Sequence, residues 1–229
     1  MAILIEGLFG SLSGKLGDVV YRKKGGKTIV ARRPKPRQSP LSEREIIGQK
    51  IFGLTGKIAK TINAIELLKY FWHRIAGKNQ SSYHLIFKKN YTVVRMEDLS
   101  GYIFLTPSQG FELINPAIYP GESNLVIECK ALGDHDAFDT QVEKYVAVAG
   151  IVILKDPTKK NISQYEVMAF KSKKYLFYPY DYLSLNLEFT GSQLGIYESY
   201  SIKKVFAVFV TMDEEESPVQ YSITFSNED

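Results

Sequence analysis

The chain has 229 residues, of which 45% are hydrophobic and 24% are charged, and its formal net charge is +4. This composition is typical of a globular protein, and the length allows one domain of good size with an appendage, or two small domains. The single cysteine, Cys129, excludes an internal disulfide and argues against a cysteine-built metal site. Residues 1–10 lack the basic flank of a Sec signal, and no stretch reaches the roughly 18 apolar residues of a membrane span. We therefore expect a protein that is made and kept in the cytoplasm, unless it leaves by lysis or by a dedicated export route.

Charge is distributed unevenly along the chain. Residues 1–98 contain 19 Lys/Arg and 7 Asp/Glu, a balance of +12, whereas residues 99–229 contain 10 and 18, a balance of −8. A basic first part suggests a polyanionic partner. It equally suggests head-to-tail association of copies, since complementary charged surfaces steer and orient assembly.

The segment 7–40 is strongly basic, poor in apolar residues and interrupted by glycines. Residues 18–23 and 27–33 both contain β-forming side chains, and the Gly25-Gly26 pair between them predicts a tight hairpin turn. The cross-strand pairs expected from such a loop are Tyr21 with Val30, Val20 with Ala31, and Arg22 with Ile29. Each face of this hairpin would be partly apolar and partly basic. Prolines at 34, 36 and 40 predict an extended spacer after it.

An isolated two-stranded hairpin is marginally stable in water, so this one needs another surface to lie on. It packs either on its own domain or, as an arm, on the sheet of a neighbouring subunit by strand addition. The expected assembly residues are Val19, Val20, Tyr21, Arg22, Thr28, Ile29, Val30, Ala31 and Arg32. Possible contacts to nucleic acid are Lys23, Lys24, Lys27, Arg33, Lys35 and Arg37.

A helical segment follows. Ser42 and Glu45 form a capping-box pattern, and apolar residues recur at three- and four-residue steps as far as about residue 75. Gly48, Gly53 and Gly56 each cost about 1 kcal/mol relative to alanine in a helix, so we expect a bend or break near them. A second helix is predicted over residues 82–96. These helices either join a bundle between subunits or cover their own β domain.

From residue 99 onward, short β-forming runs alternate with turn clusters. The predicted strands cover residues 102–106, 125–130, 146–154, 164–170, 183–189, 204–212 and 220–225. About seven such strands favour an antiparallel, Ig-like β-sandwich. The fold class is therefore α+β, with a basic arm and spacer (residues 1–40), a helical segment (41–98) and a sandwich domain (99–229).

Residues that could support chemistry are few. His73 and His84 lie on predicted helices, and the Asp134-His135-Asp136 run sits in a turn, where adjacent residues rarely converge on one ion. No nucleophile elbow, phosphate-binding loop, dinucleotide fingerprint or zinc-protease helix is present. We expect no catalytic residue, no metal and no cofactor, and hence not an enzyme.

Two runs carry a resemblance to known proteins. The run SGKLGDVV at residues 13–20, with the basic segment 27–34 and a helix that ends near Trp72, resembles an uncharacterised family of Bacteroidota and tailed-phage proteins. The run KVFAVFV at residues 204–210, its acidic turn and residues 221–225 resemble the last hairpin of the Bacteroidota members. Residues 98–162 have no counterpart. The resemblance implies a virion or assembly component without catalysis.

Three functional classes follow. The first is a self-assembling structural protein, most simply a phage virion component, with a subunit of a bacterial filament or appendage as the alternative. The second is a nucleic-acid-binding module that uses the basic arm. The third is an enzyme, which no constellation of residues supports.

Overall fold

The computed structural model describes residues 2–4, 13–24, 26–35, 39–95, 102–108, 110–132 and 138–227. They belong to two compact units, Met1–Glu43 and Arg44–Asp229. The fold is α+β, and its sheets are antiparallel. Arg37 and the Asp134-His135-Asp136 turn lie outside the described residues.

The N-terminal unit contains a four-stranded sheet in the order β1-β4-β3-β2. Its strands are β1 (Ala2–Leu4), β2 (Gly14–Leu16), β3 (Val19–Lys24) and β4 (Lys27–Arg32). Strands β3 and β4 pair antiparallel, with Tyr21 opposite Val30, Val20 opposite Ala31 and Arg22 opposite Ile29. Gly17 and Gly26 have φ of +55° and +74° in the two tight turns, a backbone conformation that favours glycine. Strands β1 and β2 were not predicted from the sequence; they add one strand to each side of the β3–β4 pair.

Four helices are described: α1 (Glu43–Ala64), α2 (Glu66–Arg74), α3 (Ser82–Tyr91) and α4 (Gly191–Tyr197). Helix α1 runs through its three glycines without interruption, so the break expected near them is wrong. The break falls at Ile65, whose backbone is extended at φ −84° and ψ 107°. Leu54, Ile58 and Ile62 hold the apolar side of α1 in the core, and the break lets the buried side of α2 reach the same core.

Nine strands form two sheets in the second unit. They are β5 (Ala117–Pro120), β6 (Asn124–Cys129), β7 (Tyr145–Pro157), β8 (Tyr165–Lys171), β9 (Tyr175–Leu176), β10 (Leu183–Glu188), β11 (Tyr200–Met212), β12 (Pro218–Tyr221) and β13 (Phe225–Ser226). The large sheet has the order β12-β11-β7-β8, with β13 beside β11 and β9 beside β7; the small sheet has the order β10-β6-β5.

The large sheet is the middle layer of the second unit. On β7, Ala149 and Ile151 belong to a core shared with α1 and α2, while Val148 and Val152 belong to a core shared with the small sheet. Both faces of the sheet are therefore covered, which explains why nine consecutive β7 residues are buried. The helices share a core with the strands, so the boundary expected at residues 98/99 is a change of secondary structure within one unit.

Two stretches differ from the strands expected. Residues 102–106 form no strand, because their backbone bonds to helix side chains: Trp72 Nε1 donates to Leu105 O at 2.8 Å, and Asn90 bonds both N and O of Phe104. The predicted strand over residues 220–225 is divided between β12 and β13. Between the strands predicted over residues 183–189 and 204–212, where a turn cluster was expected, the chain forms α4, which has a capping box between Thr190 and Gln193.

Candidate assembly interface

The expected assembly residues lie on the two central strands of the N-terminal sheet. Directly paired residues share a face, and side chains alternate between faces along each strand. One face therefore presents Val19, Tyr21, Thr28, Val30 and Arg32. The other presents Val20, Arg22, Ile29 and Ala31. Both faces mix apolar and basic groups.

Neither face is covered well. Thr28, at 8% exposed, is the one buried side chain among those described in residues 13–35. The apolar Val19, Tyr21, Ile29 and Val30 are only half-buried, and Leu16 is 69% exposed. A sheet gains stability by burying an apolar face against another layer. This sheet therefore has apolar surface that a partner could still cover.

The edges of the N-terminal sheet are its short outer strands. Strand β2 pairs with Val19–Tyr21 of β3, and β1 pairs with Thr28–Val30 of β4. Most backbone groups of the expected assembly residues are thus bonded inside the unit. An added strand would pair with β1, with β2, or with the part of β3 from Arg22 onward, which lacks a second neighbour in the described chain.

The basic side chains are spread over both faces. Residues 1–43 contain 9 Lys/Arg and 3 Asp/Glu, a balance of +6. By strand alternation Lys23 lies on the face of Tyr21, whereas Lys27 lies on the face of Arg22, and all three basic side chains are exposed. Arg33 and Lys35 follow β4 and are exposed as well. Of the remaining residues that could contact nucleic acid, Lys24 lies at the end of β3 and Arg37 is not described. The described charges form no single stripe.

In the second unit, one long edge of the large sheet is covered by side chains. The β8 carbonyls of Tyr165, Val167 and Ala169 accept hydrogen bonds from side chains on α1 and α4. The donors are Lys57 Nζ at 2.6 Å, Thr61 Oγ1 at 3.4 Å and Gln193 Nε2 at 3.1 Å, respectively. The outer strand β8 is thus closed to further pairing along these alternate residues.

The other edges differ in how open they are. Beside β12, the Phe111 amide donates to Tyr221 O at 3.0 Å, and the Ile223 amide donates to Phe111 O at 2.9 Å. Strand β5 lies between Pro116 and Pro120, and proline offers no amide to a neighbouring strand. Strand β10 is six residues long, pairs with β6 alone, and has no strand on its outer side in the described chain. It is the most regular open edge described.

A cleft of about 650 Å³ opens beside the start of β7. Its lining is mainly tyrosine and carboxylate side chains, among them Glu143, Tyr145, Tyr178, Tyr180, Asp181 and Glu214. Glu143 is 1% exposed, and its Oε1 accepts hydrogen bonds from the Asp139 amide at 3.0 Å and from Gln220 Nε2 at 3.1 Å. Its Oε2 is buried and has no hydrogen-bond partner in the described chain.

Sequence reasoning missed this cleft. The available signal was the run YLFYPYDY at residues 175–182, which has four tyrosines in eight positions. Tyr178 and Tyr180 are 56% and 50% exposed, an unusual display of aromatic surface. Nothing in the sequence links this run to Glu143, which lies more than thirty residues earlier.

The candidate residues for chemistry are not brought together. His73 and His84 are exposed on α2 and α3, and no group of three or more His, Cys, Asp or Glu that could hold a metal occurs among the described residues. Cys129 is buried in the core between the two sheets, and burial raises the pKa of its thiol. None of the described helices has the length and apolar character needed to cross a bilayer.

The chain matches no protein-family model, and it matches no curated protein.

Proposed function

We propose that the protein is a non-catalytic structural subunit that joins a larger assembly through its N-terminal sheet, as a capsid- or tail-associated component of a phage virion. The observation that supports assembly is the state of this sheet, whose apolar residues remain only half-buried within the chain. The second unit has a complete core of its own and does not need the sheet to bury it. The virion assignment rests on the resemblance of residues 13–20 and 204–210 described above.

Strand addition is the proposed mode of attachment, and β10 is the proposed acceptor. An added strand gains backbone hydrogen bonds from an open edge and side-chain contacts from alternate positions. Side chains along β10 alternate regularly between exposed and buried positions. The exposed ones are Ser184, Asn186 and Glu188, and the buried ones are Leu185 and Leu187. An incoming strand would therefore pair with a regular extended backbone. Glu188 at the end of β10 and Asp181 just before its start would attract a donor unit whose balance is +6. We also propose that the large and small sheets of the second unit pack against each other as an Ig-like β-sandwich.

The test compares the full chain with a chain that lacks residues 1–43, by size-exclusion chromatography with light scattering. We expect the full chain to form oligomers and the truncated chain to remain a folded monomer. The double variant Leu16→Asp/Val19→Asp should weaken assembly in the same way, because it places charge on the apolar face. The matched double variant Ser13→Asp/Asn79→Asp makes the same change in net charge at exposed polar positions and should assemble as the full chain does. Normal assembly of the truncated chain would show that the N-terminal sheet is not the attachment device.

A nucleic-acid role for the basic residues is the second candidate, favoured by the +6 balance of residues 1–43. Binding through phosphates would weaken steeply with salt, with a log–log slope of about −0.9 per phosphate neutralised on duplex DNA. The division of Lys23 and Lys27 between two faces favours the structural role. Tight binding to duplex DNA with a slope of several units would reverse this ranking.

A further inference from the structure

We infer that the tyrosine-lined cleft is a binding site for a cationic side chain, the guanidinium of an arginine or the ammonium of a lysine, presented by a polypeptide segment. The inference adds a recognition site that strand addition at β10 does not require. It rests on the proposed function only where the polypeptide is the basic N-terminal unit of a second copy.

The first argument is the Glu143 carboxylate in the lining of the cleft. Oε1 of Glu143 has two donors, whereas Oε2 has none among the described residues and is shielded from solvent. Leaving a buried charged oxygen without a hydrogen bond is costly. A ligand that displaces the packing over Oε2 and donates to this oxygen would remove the cost, and a cationic donor would also neutralise the charge.

The second argument is the charge of the lining. Asp181 and Glu214 add two exposed carboxylates, and Lys144 is the basic residue of the lining. Lys144 Nζ donates to Thr140 O at 3.0 Å, so its ammonium already has a partner away from Glu143. The ion pairs described elsewhere, Lys57 with Glu166 and Lys174 with Glu216, do not involve these three carboxylates. The lining therefore favours a positively charged ligand.

The third argument is the aromatic surface. Cations are attracted to the faces of tyrosine rings, most strongly where water is excluded. The rim already shows this contact, because Lys174 Nζ lies 4.4 Å from the centroid of the Tyr145 ring. Tyr178, which is 56% exposed, could fold over a bound side chain with little loss of packing. The cleft thus offers a carboxylate and aromatic rings, the two groups that recognise guanidinium and ammonium.

The test measures binding of a fluorescently labelled tetra-arginine peptide to the full chain by anisotropy. A tetra-citrulline peptide, which has nearly the same shape without the charge, serves as the ligand control. Glu143→Gln keeps the Oε1 acceptor for both existing donors and removes the charge, so the fold should be retained; its unfolding midpoint checks this. We expect Glu143→Gln and Tyr178→Ala each to weaken binding by about tenfold or more. The matched variant Glu122→Gln, at an exposed site that does not line the cleft, should bind as the parent protein does.

The outcomes separate this inference from the proposed function. Equal binding of the citrulline peptide, or unchanged binding by Glu143→Gln and Tyr178→Ala, would overturn the inference. If binding is confirmed and Glu143→Gln also weakens oligomerisation in light scattering, a second copy supplies the basic residue. If binding is confirmed while oligomerisation is unchanged, the cleft takes its cation from another polypeptide. If the full chain binds the peptide but never forms oligomers, the binding site inferred for the cleft is supported and the proposed self-assembly is wrong.

Discussion

The side-chain amide of Asn90 is fully buried and links α3 to the backbone of Phe104. Its Nδ2 donates to Ile86 O and Phe104 O, each at 3.1 Å, and its Oδ1 accepts from the Phe104 amide at 2.9 Å. One side chain thus satisfies both backbone groups of Phe104. Without Asn90, the Phe104 amide and carbonyl would lose these partners, and segment 102–106 would keep the bond from Trp72 to Leu105 O.

Replacing Asn90 should therefore destabilise the second unit. We expect Asn90→Ala to lower the free energy of unfolding by about 2 kcal/mol or more, since it leaves the Phe104 amide and carbonyl without partners. Chemical denaturation followed by Trp72 fluorescence would measure this, because Trp72 is 2% exposed in the same core. The same substitution at the exposed Asn79 should change stability by no more than about 0.5 kcal/mol. Equal effects at the two positions would contradict the role assigned to Asn90.

At the scale of single elements, glycines have opposite roles in β7 and α1. A Cβ on Gly150 would lie 2.1 Å from Phe206 O and 2.5 Å from Phe170 Cζ, because strands β11 and β8 flank it. A Cβ on Gly53 would meet nothing within 4 Å, since this residue is exposed on α1. The first glycine allows close packing, whereas the second only lowers helix propensity.

One substitution at these two positions should give effects of opposite sign. We expect Gly150→Ala to lower the free energy of unfolding by about 1–3 kcal/mol through overpacking. Gly53→Ala should raise the free energy of unfolding by about 0.5–1 kcal/mol, because alanine has a higher helix propensity than glycine. Denaturant titrations of both variants against the parent chain would measure the two differences. Destabilisation by Gly53→Ala would mean that α1 needs its glycine for a contact outside the described chain.

Element types could be predicted where the pattern was local. Residues 183–189 were predicted as a strand, and the structure confirms this with β10, whose Leu185 and Leu187 are buried on one side. The apolar run at residues 146–154 predicted strand β7. It could not predict that helices cover one face of this strand, because a run of apolar residues does not indicate which elements pack on either side. The break between α1 and α2 at Ile65 could not be predicted, because no helix-breaking residue marks it. It allows both helices to pack their apolar sides into the same core.

The candidate sites were less predictable than the elements. The basic composition of residues 1–43 pointed to the N-terminal unit, but β1 has no turn signal that would place it beside β4. Glu143 resembles any surface glutamate in the sequence. Its Oε1 accepts a hydrogen bond from Gln220, which lies 77 positions later, and no local sequence pattern indicates such a contact.

At the scale of the whole molecule, charge should influence how copies meet. Residues 1–98 have a balance of +12 and residues 99–229 a balance of −8, so a head-to-tail contact sets opposite charges together. A symmetric contact of like parts would set like charges together, and heterologous contacts build rings or open filaments. We therefore expect the proposed association to be head-to-tail.

Salt should then slow association more than it reverses it. Exposed charges mainly set the rate of encounter, while desolvated apolar groups and backbone hydrogen bonds hold a formed complex. Stopped-flow light scattering at increasing salt should show a falling association rate, and dilution of preformed oligomers should show a nearly constant dissociation rate. A two-fold symmetric contact in a structure of the assembled protein would contradict the head-to-tail arrangement.

The covered edge of β8 limits the valency of such a subunit. A chain that offers an adding strand and several open sheet edges could attach to more than one partner, and the product would be a branched aggregate. Lys57, Thr61 and Gln193 occupy the β8 carbonyls, and the prolines around β5 weaken another edge. Under the proposed assembly, each copy then provides one donor and one acceptor. The assembly would then grow in one dimension as a filament. Its length would be set by the supply of subunits or by a partner that terminates growth.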